Sequence, residues 1–415
     1  MTSPACDAAV DPFDGAISVD APAGAAAQPW LPAVLSIAVG TFALVTSEFL
    51  PVGLLTDIAA SLKVTEGAAG LSVTIPGLVA AVAAPAIAIF AGKLDRRVLL
   101  WALMGLLIAS NLISTFATNL ETLVAGRTLM GLGVGGFWAM APALGMRLAG
   151  EARGPRAVAI IFAGVSVGTV FGVPAGALIG ELAGWRTAFA LAAGVAALVL
   201  IAQFIFLPPM PQNQKTTMRN LIAPFTIPKA RLGLLAALFL AGGHFASYTY
   251  VQPFLQQVSL MSAGQITGLL LLFGAGGLVG NFLAGLALER NVRLTKIAMA
   301  VAMGAAMLLL AAFGRDQLAA SAAIALWGLA FGAMPISIQT WMFRAAPEAM
   351  ETSGALLVTT FQVALASGAL LGGLLVDHVG VTQAMVLGGL SALATAALVW
   401  TFGGGRPVAT TPPHE

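Results

Sequence analysis

From Leu31 the chain runs apolar for more than 20 residues, interrupted once, by Glu48, before it turns polar near Thr56. Long apolar runs broken by short polar turns continue to residue 402. They predict twelve spans, near 31–56, 68–92, 98–118, 120–147, 156–181, 186–207, 231–257, 264–288, 293–313, 316–343, 349–376 and 380–402. At 1.5 Å per helical residue each has the length that crosses a hydrocarbon core about 30 Å thick. No stretch alternates apolar and polar positions over its length, as a membrane β-barrel requires. Only one connection is long, 208–230, with Pro208, Pro209, Pro211, Pro224 and Pro228. The expected fold is an all-α membrane protein: bundles of six helices over 31–207 and 231–402, joined by this linker. A disordered acidic tail is expected over 1–30, and a second tail over 403–415.

The two halves repeat. AGKLDRRVLL (91–100) aligns with GLALERNVRL (285–294) at an offset of 194, setting Asp95 and Arg96 over Glu289 and Arg290. Gly131, Gly135 and Arg147 align with Gly328, Gly332 and Arg344 at 197. Gly172, Gly176, Glu181 and Gly184 align with Gly368, Gly372, Asp377 and Gly380 at 196. Three ordered matches at nearly one offset imply parallel halves related about the membrane normal, a plan in which solute binds near the midplane between them.

Composition agrees, with 59% hydrophobic and 9% charged residues and a mean hydropathy of +0.95. The one cysteine, Cys6, excludes an internal disulfide and a cysteine zinc site; no metal or cofactor is expected. The first 30 residues hold Asp7, Asp11, Asp14 and Asp20 without Lys or Arg, unlike a cleaved signal peptide. Loops on the N-terminal side carry fifteen Lys and Arg, from Lys93 to Arg406. The opposite loops carry three, Lys63, Arg186 and Arg315, and Arg127 inside a span completes the nineteen. Basic loops stay cytoplasmic, so both termini should face the cytoplasm.

Intramembrane ionisable groups are costly and mark function by default. Glu48 is either a structural acid satisfied by a neighbouring helix or a carboxylate that takes and gives a proton at a water-filled cavity. Arg127 lies at matching depth, about 10–12 Å below the outer surface by helical rise. It can pair with Glu48, bond backbone carbonyls or snorkel outward. In span seven, His244, Ser247, Tyr248 and Gln252 follow i, i+3, i+4, i+8 spacing and are expected to line the cavity. Trp138 and Trp327 can stack on a planar solute or serve packing alone; Gln339 and Gln362 are further cavity candidates. The glycines of 168–180, with Gly168, Gly172, Gly176 and the bend at Pro174, suit a sealing surface between rocking halves, as do those of 368–373. Asp95, Arg96 and Arg97 can latch the halves at the basic end or act only as topology signals.

These blocks resemble the major facilitator superfamily over nearly the whole chain after the tail. GKLDRRVLL is similar to a shortened loop 2–3 signature, GxLxDRxGRRxxL, and RTLMGLGVGG to the Arg–glycine signature of span four. GTVFGVPAG (168–176) resembles the antiporter signature GxxxGPxxGG with one residue inserted, and with GWRTAF it points to the drug:proton antiporter branch. TSEFLPVGLL, GGFWAMAPALGMRL and SYTYVQPF look most like bacterial purine ribonucleoside efflux pumps of that branch, which also exports sugars. The resemblance implies a proton-coupled exporter of a small organic solute, acting as a monomer in the bilayer, with solute and protons as partners and no nucleic acid. No GxxxxGK[ST] loop is present, and no length is left for an ATPase domain. A proton-coupled importer shares nearly all these features. A membrane enzyme or sensor would need clustered nucleophiles or metal ligands that three His and one Cys do not supply.

Overall fold

The computed structural model describes residues 30–91, 94–150, 153–211, 223–346 and 350–403; the two tails and the middle of the 208–230 linker lie outside them. Among the described residues every regular element is helical. The first bundle contains α1 (Trp30–Phe49), α2 (Leu55–Leu62), α3 (Glu66–Ala69) continuing into α4 (Leu71–Phe90), and α5 (Arg96–Thr115). It closes with α6 (Leu120–Trp138), α7 (Ala141–Ala149), α8 (Gly154–Val167), α9 (Val173–Ala183) and α10 (Trp185–Phe206). The second contains α11 (Pro228–Tyr248), α12 (Val251–Gln257), α13 (Ala263–Arg290), α14 (Val292–Phe313), α15 (Gln317–Ala345), α16 (Met350–His378) and α17 (Val381–Phe402). Among the described residues eleven helical segments are long and apolar enough to cross a membrane, and α6 with α7, bent by 46°, makes a twelfth when the pair is taken as one span. The chain is a multi-pass membrane protein in two pseudo-symmetric bundles.

The aligned glycines perform duplicated packing. A Cβ on Gly131 or Gly135 of α6 would strike α4 at Pro76 and Ala80, and one on Gly328 or Gly332 of α15 would strike α13 at Phe273 and Gly277. Gly172 and Gly176 lie against Thr46 and Leu50 beside α1, as Gly368 and Gly372 lie against Gly242 and Ala246 of α11. Backbones that approach this closely admit no side chain, and small-residue faces are how helices associate in lipid. The glycine face of span five therefore seals Gly168, Gly172 and Gly176 onto α1 within the first half. The second half meets that region through Gly274 against Val170 instead. One π turn covers Gly168–Gly172, just ahead of buried Pro174, which has no N–H to return to the Val170 carbonyl.

Lys296, one of the fifteen basic residues assigned to loops, is instead fully buried in α14. Its Nζ lies 4.9 Å from the Trp341 ring centroid and makes no hydrogen bond.

The halves are hydrogen-bonded to each other at the end opposite the basic loops. Asp377, at the end of α16, accepts from Thr65 Oγ1 at 2.7 Å and from the Gly67 N–H at 2.9 Å. Gln257 Nε2 donates to both Glu66 oxygens at 2.9 Å. Thr65 also caps α3, accepting from the Ala68 N–H. Behind this layer Tyr250 is wedged beside Gly70 and Gly373, its hydroxyl donating to the Ala369 carbonyl at 2.8 Å. Among the described residues, no hydrogen bond joins the halves at the basic end. Asp95 caps α5 there through the Arg97 N–H and also accepts from the Met210 N–H. Arg96 N–H donates to the Met210 carbonyl and Arg97 lies over Trp101, so this motif pins α10 to α5 inside the first half.

Candidate functional site

Two prolines determine where Arg127 binds. In an α-helix the carbonyl of residue i accepts from the N–H of i+4. Pro51 therefore leaves the Ser47 carbonyl without a donor, and Pro76 does the same to Ser72. Buried carbonyls need partners, the more so in hydrocarbon. Arg127, fully buried on α6, fills both positions: Nη1 donates to Ser47 O at 2.9 Å and Nε to Ser72 O at 2.7 Å. Its Nη2 donates to the Glu48 backbone carbonyl at 2.8 Å, where the α-ladder of α1 gives way to a tighter turn over Leu50–Gly53. The expected common depth of Glu48 and Arg127 holds. The guanidinium, however, grips the main chain around Glu48 rather than its carboxylate. Asn111 steadies the same corner by donating to Ser47 Oγ at 3.0 Å.

The Glu48 carboxylate is buried and reaches across to the other half, where Gln362 Nε2 of α16 donates to Oε1 at 3.2 Å. This is the one described side-chain hydrogen bond of that carboxylate. The neighbours of both residues meet as well. Phe49 stacks on Phe245 with centroids 5.7 Å apart, and Phe361 sits edge-on to Phe245 at 5.4 Å. Three helices thus each present a consecutive polar and aromatic pair: Glu48 with Phe49, His244 with Phe245, and Gln362 with Phe361.

His244 lies in an aromatic box. Its Nδ1 accepts from Trp327 Nε1 at 3.1 Å, and its ring stacks on Phe331 at 4.3 Å and Tyr248 at 5.1 Å, with Phe273 beyond. An Nδ1 that accepts leaves the proton of the neutral ring on Nε2, a buried donor with no partner. The rings of the box stack on one another, and the His244 Nε2 is the buried donor that they leave unpaired.

The four span-seven residues expected on one face separate. His244 and Tyr248 share the box. Ser247 Oγ instead donates to the Ala384 carbonyl of α17 at 2.8 Å. Gln252 lies past the break between α11 and α12 and accepts from the Thr56 N–H at 3.5 Å, at the closed end. Trp327 is in the box, whereas Trp138 ends α6 against Phe137 and Phe162, apart from it. Gln339 is exposed on α15, five residues before Arg344.

Phe245, Phe273, Phe331, Phe49 and Phe361 escape sequence reading because phenylalanines in spans look like packing. Asp377 and Thr65 left a fainter signal. Asp377 aligns with Glu181 in the repeat, and Thr-Glu-Gly before an apolar run is a helix-start pattern. Among the described residues no group of His, Cys, Asp and Glu is placed to hold a metal ion.

Residues 37–366 match the profile of the Major Facilitator Superfamily. The chain is 34% identical over 377 residues to the purine ribonucleoside efflux pump NepI of Escherichia coli strain K12, covering 91% of this chain and 95% of that protein. The NepI of Shigella flexneri matches with the same identity and coverage. Among solved structures, a bacterial homologue of the human lysosomal transporter Spinster superposes with a TM-score of 0.72 at 15% identity, over 88% of this chain and 95% of that one. The human organic anion transporter MFSD10 gives 0.65 at 17% identity, over 89% and 99%.

Proposed function

The chain belongs to the Major Facilitator Superfamily of transporters, and from that premise we propose that it exports a purine ribonucleoside-like solute in exchange for protons. The observation that carries the coupling is a buried carboxylate, Glu48, hydrogen-bonded across the interface of the two halves. A group there changes its surroundings whenever the halves rock, as a coupling site must. The solute class is supported by the similarity to NepI pumps and by the box of His244, Tyr248, Trp327, Phe273 and Phe331, whose faces suit a base.

In this reading the basic end is cytoplasmic, the bilayer is the bacterial inner membrane, and both termini are inside. The structure is then closed to the outside. Solute enters from the cytoplasm, the halves rock, and Glu48 takes a proton from outside before the protein returns. Arg127 holds the corner of α1 that carries Glu48 and sets a constant positive charge beside it.

The test is proton-driven uptake of a radiolabelled purine ribonucleoside into inverted vesicles, with solute–solute exchange measured separately. Glu48→Gln keeps the shape and the bond to Gln362 but fixes a neutral side chain. Gradient-driven uptake should fall to background while exchange persists. Full gradient-driven uptake by this variant would show that the carboxylate is only structural.

A further inference from the structure

A carboxylate that couples exchange must hold its proton differently in the two access states, so something around it has to move. Arg127 cannot supply that change. It stands on α6 of the same bundle as Glu48 and is tied to three carbonyls of α1 and α4, two of them left open by prolines. When the bundles rock as bodies, its distance to Glu48 stays fixed. The rest of the first-half surroundings is equally fixed: α4 presents Ser72, α5 presents Asn111, and Gly172 of span five packs on Thr46. Among the described residues Arg127 is the charged group facing Glu48. From the second half, α11 presents Phe245, with His244 turned into its own box, and α16 presents Gln362.

On these grounds, and resting on the coupling role given to Glu48 above, we infer that Gln362 is the positioning residue that makes Glu48 release its proton in one access state and take it up in the other. The carboxamide is buried, its Nε2 donates to Glu48 at 3.2 Å, and its Oε1 has no partner, so Glu48 alone anchors it. An N–H donor stabilises the ionised carboxylate. The donor is present here, with the opposite end closed and the basic end free of cross-half bonds, which is the state that must discharge its proton on the basic side. Rocking the halves open at the closed end draws α16 away from α1. The donor then leaves, and the carboxylate, its charge now less stabilised, takes a proton from the newly opened side. The order of events matches solute export against proton entry.

Gln362→Met tests this, because methionine keeps the length and removes the polar group. In purified protein, the infrared band of a protonated carboxyl is followed against pH and assigned to Glu48 by its absence in Glu48→Gln. The expected result is that the band in Gln362→Met persists to higher pH by about one to two units, since a hydrogen bond to a charged group is a roughly ten- to hundredfold preference. In inverted vesicles the rising limb of nucleoside uptake against bath pH should move the same way. Coincident band midpoints in variant and parent would overturn the inference, even where uptake falls. Should the methionine protein not fold, Gln362→Asn, one methylene too short to reach, is titrated to the same criterion. Failure of the Glu48 reading is separate: it shows as full gradient-driven uptake by Glu48→Gln.

Discussion

Arg127 makes three hydrogen bonds from one guanidinium to carbonyls of two helices, and two of those acceptors exist because Pro51 and Pro76 withhold their N–H groups. Lysine brings the charge but not the planar fork, so Arg127→Lys keeps at most part of this grip. Losing hydrogen bonds from a charged donor costs about 1.5–3 kcal/mol each, and the bared carbonyls add to it. Arg127→Met should lower the melting temperature in detergent by several degrees, and Arg127→Lys by less. Pro51→Ala restores the N–H that Ser47 lacks, so adding it to Arg127→Met should recover part of the loss. A double variant no more stable than Arg127→Met would argue against the proline account.

At the scale of elements, the closed end rests on α16 meeting the start of α3. Asp377 gathers a hydroxyl and a backbone N–H from the other half, and Gln257 holds Glu66 beside it. Both contacts lie at the surface, where each is worth little alone. The layers behind them, Tyr250 against Gly70 and Gly373 and then Phe49 on Phe245, contribute apolar burial. Asp377→Ala should therefore shift the balance toward opening at this end without unfolding the bundle. Spin labels at exposed Lys63 and Val379 would report it as a second, longer distance that grows relative to the parent. An unchanged distance distribution would assign the closure to the apolar layers alone.

For the whole molecule, the basic bias assigns a side to each end. If the end rich in Lys and Arg is cytoplasmic, a tag placed after Glu415 should resist protease added to intact cells and be cut once the cells are opened. Cleavage in intact cells would reverse the direction of transport argued above, since the closed end would then face the cytoplasm.

The order of apolar runs and polar turns determined the twelve spans, because hydrocarbon admits only backbones that satisfy their own hydrogen bonds. The repeat offsets determined the duplication, and the glycines that carry it do the same packing in both halves. Glu48 stood out because a lone carboxylate in an apolar run needs no fold to be noticed. The prolines that orphan Ser47 and Ser72 were equally visible four residues away. What the order of residues left open was which way each helix turns. In lipid the outside of a bundle is as apolar as its inside, so helical spacing does not say which stripe faces inward. Only packing turned Ser247 toward α17, carried Gln252 to the closed end and kept Trp138 away from the aromatic box. Only packing, too, brought Gln362 to Glu48 across 314 residues of chain and directed Arg127 to carbonyls rather than to a carboxylate. A hydrogen bond between two bundles is decided by where they meet, and no local pattern records that.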